Sequence, residues 1–189
     1  MEPTEQLSIL LPILTNIVGR IEPNQLDDPT PCAAFTVRDV VNHMINGAES
    51  FAPAFRGTEP TPSAPIPVGV HPAARFRTAM AELLNAVHSP GALTRVVDAP
   101  FGQVPGEVFA RFVAFDGLVH GWDMASSTGQ PYAPPAELTA SVDGFARQAL
   151  SPDMRDGDTF AAETAARPED DDLLRLIAFS GRTVGSAAR

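Results

Sequence analysis

The stretch Asp116-Gly117-Leu118-Val119-His120 sets a carboxylate and an imidazole four residues apart inside an otherwise apolar run. Around it, Phe109, Phe112, Val113, Asp116, His120 and Asp123 fall at i, i+3, i+4, i+7, i+11 and i+14. At about 100° per residue these positions share one face, so the spacing predicts a helix with this stripe toward a core. Leu or Ile would be the ordinary choice at the two middle positions. An unpaired carboxylate buried there would cost on the order of several kcal/mol, so it must be neutralised, hydrogen-bonded or bound to a metal. Asp and His at i, i+4 point the same way and can hold one cation between them. A buried Asp–His hydrogen bond that only ties helices together fits the pair equally well.

Working outward, Leu7, Leu10, Leu11, Leu14, Ile17, Val18 and Ile21 recur at helical spacing, with Thr4 as the expected cap. Pro12 is expected to kink or restart that helix. Thr36, with Asp39 three residues on, forms an acidic variant of the capping box. It opens a helix carrying Val37, Val40, Val41, Met44, Ile45, Ala48, Phe51, Ala52 and Phe55 inward, which stops near Arg56-Gly57. The Pro-rich run from Thr58 to Pro72 reads as a surface excursion. Ala73 to Val87 returns to helix, and Thr94 to Val104, with Phe101-Gly102, reads as a short extended arm. Pro105 suits the first turn of the long helix that runs to about Ser127 and is ended by Gly129. Pro134-Pro135 opens a helix to about Leu150, and Asp171 to Arg182 supplies a last short one.

Four long helices with little convincing strand predict an all-α fold, a four-helix bundle with additional short C-terminal helices laid over it. The expected organisation is one domain over residues 1–189, with its bundle core at about 4–128 and a helical extension at about 134–189. A chain of 189 residues with 44% hydrophobic and 19% charged residues has the composition of a soluble globular protein. The net charge of −10 comes from 23 acids against 13 bases, all of them Arg. With no basic run, nucleic acid and anionic membranes are excluded as expected partners. Cys32 stands alone, which excludes an internal disulfide and a Cys-based zinc knuckle. The start Met1-Glu2-Pro3-Thr4-Glu5 lacks a basic signal-peptide region, and the expectation is a cytoplasmic protein. An exposed helix face is compatible with a homodimer, and no residue pattern fixes the oligomeric state.

A metal in a bundle interior draws its ligands from facing helices. The third ligand should therefore come from another helix, and His43, at the edge of the second helix's apolar face, is the candidate. That position also suits a surface histidine. His71 and His88 read as solvated boundary residues. Convergence of His43, Asp116 and His120 would give two histidines and one carboxylate with open positions, the form of a catalytic or substrate-binding site rather than a closed structural one. Zn²⁺ is the default, and Ni²⁺, Fe²⁺ or Mn²⁺ fit the same ligand types. Asp123 reads as a fourth ligand, as a residue holding a ligand histidine by its second nitrogen, or as a solvated residue near a helix end. Trp122 and Phe115 read as core. Arg38 as an anion contact, Glu49 as a base and Cys32 as a nucleophile are weaker readings than solvated helix residues and a small buried thiol.

Two separated segments carry a resemblance. Asp28-Pro29-Thr30-Pro31-Cys32-Ala33-Ala34-Phe35-Thr36-Val37-Arg38-Asp39-Val40-Val41-Asn42-His43-Met44 resembles the loop-and-helix signature of the DinB-like bundle proteins common in actinobacteria. His120-Gly121-Trp122-Asp123-Met124-Ala125, preceded by Asp116, resembles that family's second signature. The group is similar to the N-terminal domain of mycothiol-dependent maleylpyruvate isomerase. The resemblance spans roughly Leu7 to Arg182 and implies a divalent metal on His43, Asp116 and His120. It departs at Phe35, where Trp is usual, and at Asp116, where the isomerase has Glu; the isomerase also continues into a second domain. The activity implied is a metal-dependent transferase or isomerase using mycothiol as cosubstrate, with a small-molecule thiol and an electrophile as partners. The competing expectation is a metal-stabilised binding module without catalysis.

Overall fold

The computed structural model describes residues 1–33, 35–60, 65–67, 69–99, 102–155 and 161–184. It forms two compact units, Met1–Tyr132 and Ala133–Arg189. The first unit is built from α1 (Pro3–Gly19), α2 (Val37–Arg56), α3 (Ala73–Val87) and α4 (Gly106–Ser127), with a hairpin of β1 (Val96–Ala99) and β2 (Gly102–Pro105) before α4. In the second lie α5 (Ala136–Ala149) and α6 (Asp172–Phe179). The expected all-α fold is what the chain adopts.

Around the bundle, α1 packs on α3 and α4, and α2 packs on the same two helices. The core is the set of positions that the helical spacing turns inward: Leu7, Leu10 and Leu14 of α1, Val40, Val41 and Ile45 of α2, Phe76 and Leu83 of α3, Phe115 and Leu118 of α4, none more than 2% exposed. Each such side chain contributes about 1.5–3 kcal/mol of transfer free energy on burial. His71 closes one end of the bundle: its Nε2 lies 3.0 Å from the carbonyl of Ile21, and its Nδ1 accepts from the backbone N–H of Ala73. This contact brings the chain just past α1 to the chain just before α3, so those helices run antiparallel.

The ends of the helices follow their capping chemistry. Thr36 accepts from the N–H of Asp39, and Asp39 accepts from the N–H of Thr36 at 2.9 Å, so the capping box at α2 is formed. The Thr36 hydroxyl, which donates to Asp39 Oδ2 at 2.6 Å, and then the Thr36 N–H hold the Asp39 carboxyl below its ordinary value. At the other end of α2, Gly57 takes a left-handed φ of 70°. The hairpin pairs Val96 with Pro105 and Val97 with Val104 in antiparallel register, the extended arm expected over this segment. Phe101 and parts of the Pro-rich run, residues 61–64 and 68, lie outside the described residues.

Several local expectations are corrected. Thr4 does not cap α1; the helix begins one residue earlier at Pro3, whose missing N–H costs nothing in a first turn. Pro12 does not restart α1, which runs through it. The carbonyl that loses its partner there belongs to Ser8, and both residues sit on the exposed face where water can serve it. The last helix stops at Phe179 rather than Arg182, because Gly181 turns the chain with φ 94°. Most consequential is α4. It is not a single apolar stripe: Gly106, Ala110, Ala114, Gly117 and Gly121 are buried as well, and neighbours close on it from most sides.

In the second unit α5 packs against α6. Two guanidinium groups lie over the ring of Phe179, Arg147 at 4.6 Å and Arg155 at 4.5 Å from its centroid. Asp171 caps α6 by accepting from the N–H of Leu174.

Gly106 is where the hairpin turns into α4, and its N–H donates to the carbonyl of Arg95 at 2.7 Å. A Cβ built there would overlap the backbone carbonyl of Ala92, which has no side-chain freedom to yield. Gly106→Ala is therefore expected to lose about 3 kcal/mol of unfolding free energy in urea melts, at the upper end of ordinary overpacking costs. An unchanged midpoint would show that the hairpin is not held as described.

Candidate metal centre

The opening between α2 and α4 brings together a carboxylate and two imidazoles. Ligand atoms of His43, Asp116 and His120 all lie within 4.8 Å of one another. His120 Nε2 is 3.4 Å from Asp116 Oδ1, and His43 Nε2 is 3.6 Å from Asp116 Oδ2. The two imidazole rings stand 5.0 Å apart with their planes at 67°. Each histidine thus faces a different oxygen of one carboxylate.

Burial of the three residues is uneven. The His120 side chain is 6% exposed, whereas His43 and Asp116 are 43% and 41% exposed. The expectation that Asp116 sits buried in an apolar stripe is therefore corrected: it lies at the half-open edge of α4, beside Val113, where the cleft meets solvent. The desolvation argument for a bound metal does not apply to it, and the case passes to geometry and to His120.

His120 is set by Asp123. The Asp123 side chain is fully buried, and its Oδ2 accepts from His120 Nδ1 at 2.9 Å. With the proton on Nδ1, the Nε2 lone pair is turned toward Asp116 and His43. Of the readings open for Asp123, the structure places it on the second nitrogen of His120. Directly after His120, Gly121 has no room for a Cβ, which would lie 2.5 Å from the Tyr132 hydroxyl and 2.6 Å from Leu14. That hydroxyl donates to the carbonyl of Leu118 at 2.9 Å, and burial first, then the charge of Asp123, pushes it well above the ordinary tyrosine range.

Sequence reasoning noted Phe35 only as standing where Trp is usual and missed its place at the site. Its ring centroid lies 5.6 Å from that of His43 and 6.3 Å from that of His120, forming an apolar wall over both imidazoles. The available signal was its place immediately before the N-cap of the helix that carries His43. On the inner side, a cavity of about 30 Å³, room for about one water, touches His43, Asp116, Gly117, Leu11 and Met80.

The other candidates fall elsewhere. His71 caps the start of α3, and His88 Nδ1 lies 2.9 Å from the carbonyl of Leu84 at the end of the same helix. Glu49 holds Arg75 through two bonds of 2.7 Å, so its carboxylate is engaged in an ion pair. Arg38 pairs with Asp27 at 3.1 Å beside a 300 Å³ pocket that Asn42 and Ile66 also line. Cys32 is partly exposed rather than buried. Phe115 is core, as expected, and Trp122 is half-buried.

For bonds of about 2.1 Å at tetrahedral angles, donor atoms stand about 3.4 Å apart, and each histidine nitrogen lies near that distance from one of the two carboxylate oxygens. They are longer than the ~2.8 Å of a charge-assisted N–H···O bond. Two nitrogens and a carboxylate are also donors that divalent transition metals take together. The residues present fit a divalent cation.

The sequence profile of the mycothiol maleylpyruvate isomerase N-terminal domain family matches residues 12–125, and the chain belongs to that family, a DinB-like one. Two relatives, uncharacterized proteins from two strains of Mycobacterium tuberculosis, are each 34% identical over 170 residues, covering 89% of this chain and 91% of theirs. No solved structure matches the chain significantly. No helix among the described residues is long and apolar enough to cross a membrane.

Asp123→Asn would put an amide where the carboxylate fixes the His120 tautomer. It is expected to weaken Zn²⁺ binding by about 10–100-fold in a competition titration with a chromophoric chelator. Affinity equal to the wild type would mean that Asp123 does not orient a ligand.

Proposed function

We propose that this chain is a divalent-metal-dependent enzyme that uses a low-molecular-weight thiol of the mycothiol type to attack an electrophilic substrate, as an S-transferase or isomerase. The observation that carries the reading is the pair of N···O distances, 3.4 and 3.6 Å, on the two oxygens of one half-exposed carboxylate. Zn²⁺ is the favoured ion because two histidines and one carboxylate with an open position form a known catalytic set for it. A cation bound there would lower the pKa of a coordinated thiol or water and so supply a nucleophile near neutral pH.

The chain's own residues have distinct tasks. His120, clamped by Asp123, presents Nε2 at a fixed angle, so little ordering entropy remains to be lost on binding. Asp116 supplies negative charge and keeps a solvent-facing edge. His43 is the most exposed of the three and borders the cleft through which a small thiol would enter. Phe35 shields both rings from water on one side, which strengthens the electrostatics of the site. Glu49 is not the base in this reading, since Arg75 holds it.

The family's name supplies the thiol: it refers to a mycothiol-dependent isomerase, and this chain shares the N-terminal domain with it. The test begins with protein purified without an affinity tag. About one equivalent of a divalent metal is expected per chain by elemental analysis, falling below about a tenth in His43→Ala. Metal-loaded protein with mycothiol and a panel of electrophiles is expected to consume thiol above the blank, and His43→Ala to abolish that excess. Metal without any thiol-dependent turnover would replace this reading by a metal-stabilised binding module. No metal at all would leave an Asp116–His120 contact that only ties the bundle.

A further inference from the structure

A cavity of about 520 Å³ lies between α1 and α3, lined by Leu11, Pro12, Arg20, Arg77, Met80 and Leu84 among others, with no acidic residue in its wall. Its size falls in the range of small-molecule sites. Because the chain just past α1 meets the chain just before α3 at the His71–Ile21 contact, Arg20 and Arg77 belong to the same end of this groove. Leu11, Met80 and Leu84 line it toward the other end. The groove is therefore polarised, cationic at one end and aliphatic at the other, with Thr15 and Asn16 on the α1 wall between.

Most arginines of the first unit are matched by an acid, and Arg95, outside any ion pair, donates to the carbonyl of Phe55. Arg38, Arg56, Arg75 and Arg111 each face a carboxylate. Among the described residues Arg20 and Arg77 belong to no ion pair, in a chain whose net charge is −10. Arg20 is nonetheless positioned: its Nε donates to Gln130 Oε1 at 3.1 Å, and the Gln130 amide donates to the carbonyl of Ile17 and to Thr128 Oγ1. A cation held in place, without a counter-ion, beside an apolar trough is complementary to an anionic head on an aliphatic tail.

We propose that this groove binds a medium-chain fatty acid anion, its carboxylate between Arg20 and Arg77 and its alkyl chain along Leu11, Met80 and Leu84. From Leu11 to Arg20 the helical rise is about 13 Å. At about 1.3 Å of length per carbon, from bonds of about 1.5 Å, that accommodates a chain of about ten carbons. Leu11 and Met80 also border the small cavity under His43 and Asp116. The tail thus ends nearest the candidate metal centre and the carboxylate lies farthest from it. The two arginines that would hold the carboxylate are not among the residues of the metal site, so binding needs neither the metal nor the thiol chemistry.

Isothermal titration of the full chain with decanoate, below its micelle concentration, tests this. One equivalent is expected to bind, with affinity rising about two- to fourfold per methylene from hexanoate to decanoate. Arg20→Gln with Arg77→Gln should weaken binding by about tenfold or more. Ala81→Trp, at an exposed position in the groove wall, should abolish it, while His43→Ala should leave it unchanged. Absence of binding, equal binding of decyltrimethylammonium, or no dependence on chain length in the wild type would overturn the proposal. So would a dimer that Ala81→Trp splits and decanoate does not touch, which would make the groove a contact between two copies. The chain-length and head-group arms use unaltered protein, so they decide the matter even if a variant fails to fold.

Discussion

The bond from His120 Nδ1 to the buried carboxylate of Asp123, 2.9 Å long and closed to solvent, is what gives the centre of this molecule a direction. A neutral imidazole has two tautomers, and which nitrogen keeps its lone pair is decided by the partner of the other. Here the partner lies one turn along the same helix and cannot leave without abandoning a charge in the core. Everything on the open side follows from that choice: Nε2 is turned toward Asp116, and His43 faces the same carboxylate from the neighbouring helix.

Such an arrangement needs a helix whose backbone can be approached closely. In α4 the small residues do this. Gly117 leaves room for Leu10 and Leu14 of α1, and Gly121 for Leu14 and the Tyr132 hydroxyl. With α1 seated against one side, the other side of α4 is free to border α2 at the level of His43. The packing that stabilises the bundle is thus also what sets the separation of the helices that carry His43 and Asp116. A small shift in that packing would be felt at the site before it was felt in the fold, since ligands must be held to about 0.5 Å.

Much of this was legible in the sequence, and the failures have physical causes. Helical periods in α1, α2 and α3 identified their buried faces because each packs with one side inward. The same reasoning misjudged α4, where Gly and Ala positions that carry no hydrophobic signal are buried too, so the one-stripe reading put Asp116 inside when it lies at the cleft edge. The i, i+4 spacing of Asp116 and His120 was readable from the chain alone. That His43 meets them was not, since nothing in a single sequence fixes which faces of distant helices adjoin; the two separated signatures, read as a family resemblance, supplied it. Phe35 was passed over because an aromatic ahead of a helix cap ordinarily means packing, and its position over two imidazoles is visible only in three dimensions.

The central claim is that two imidazoles from different helices and one carboxylate share a cation. X-ray absorption at the zinc edge of the Zn²⁺-loaded protein tests it most directly. The account expects outer-shell scattering from two imidazoles, first-shell N and O donors at about 2.0–2.2 Å, and loss of one imidazole in His120→Ala. A spectrum with no imidazole scattering, or one that the substitution leaves unchanged, would contradict it.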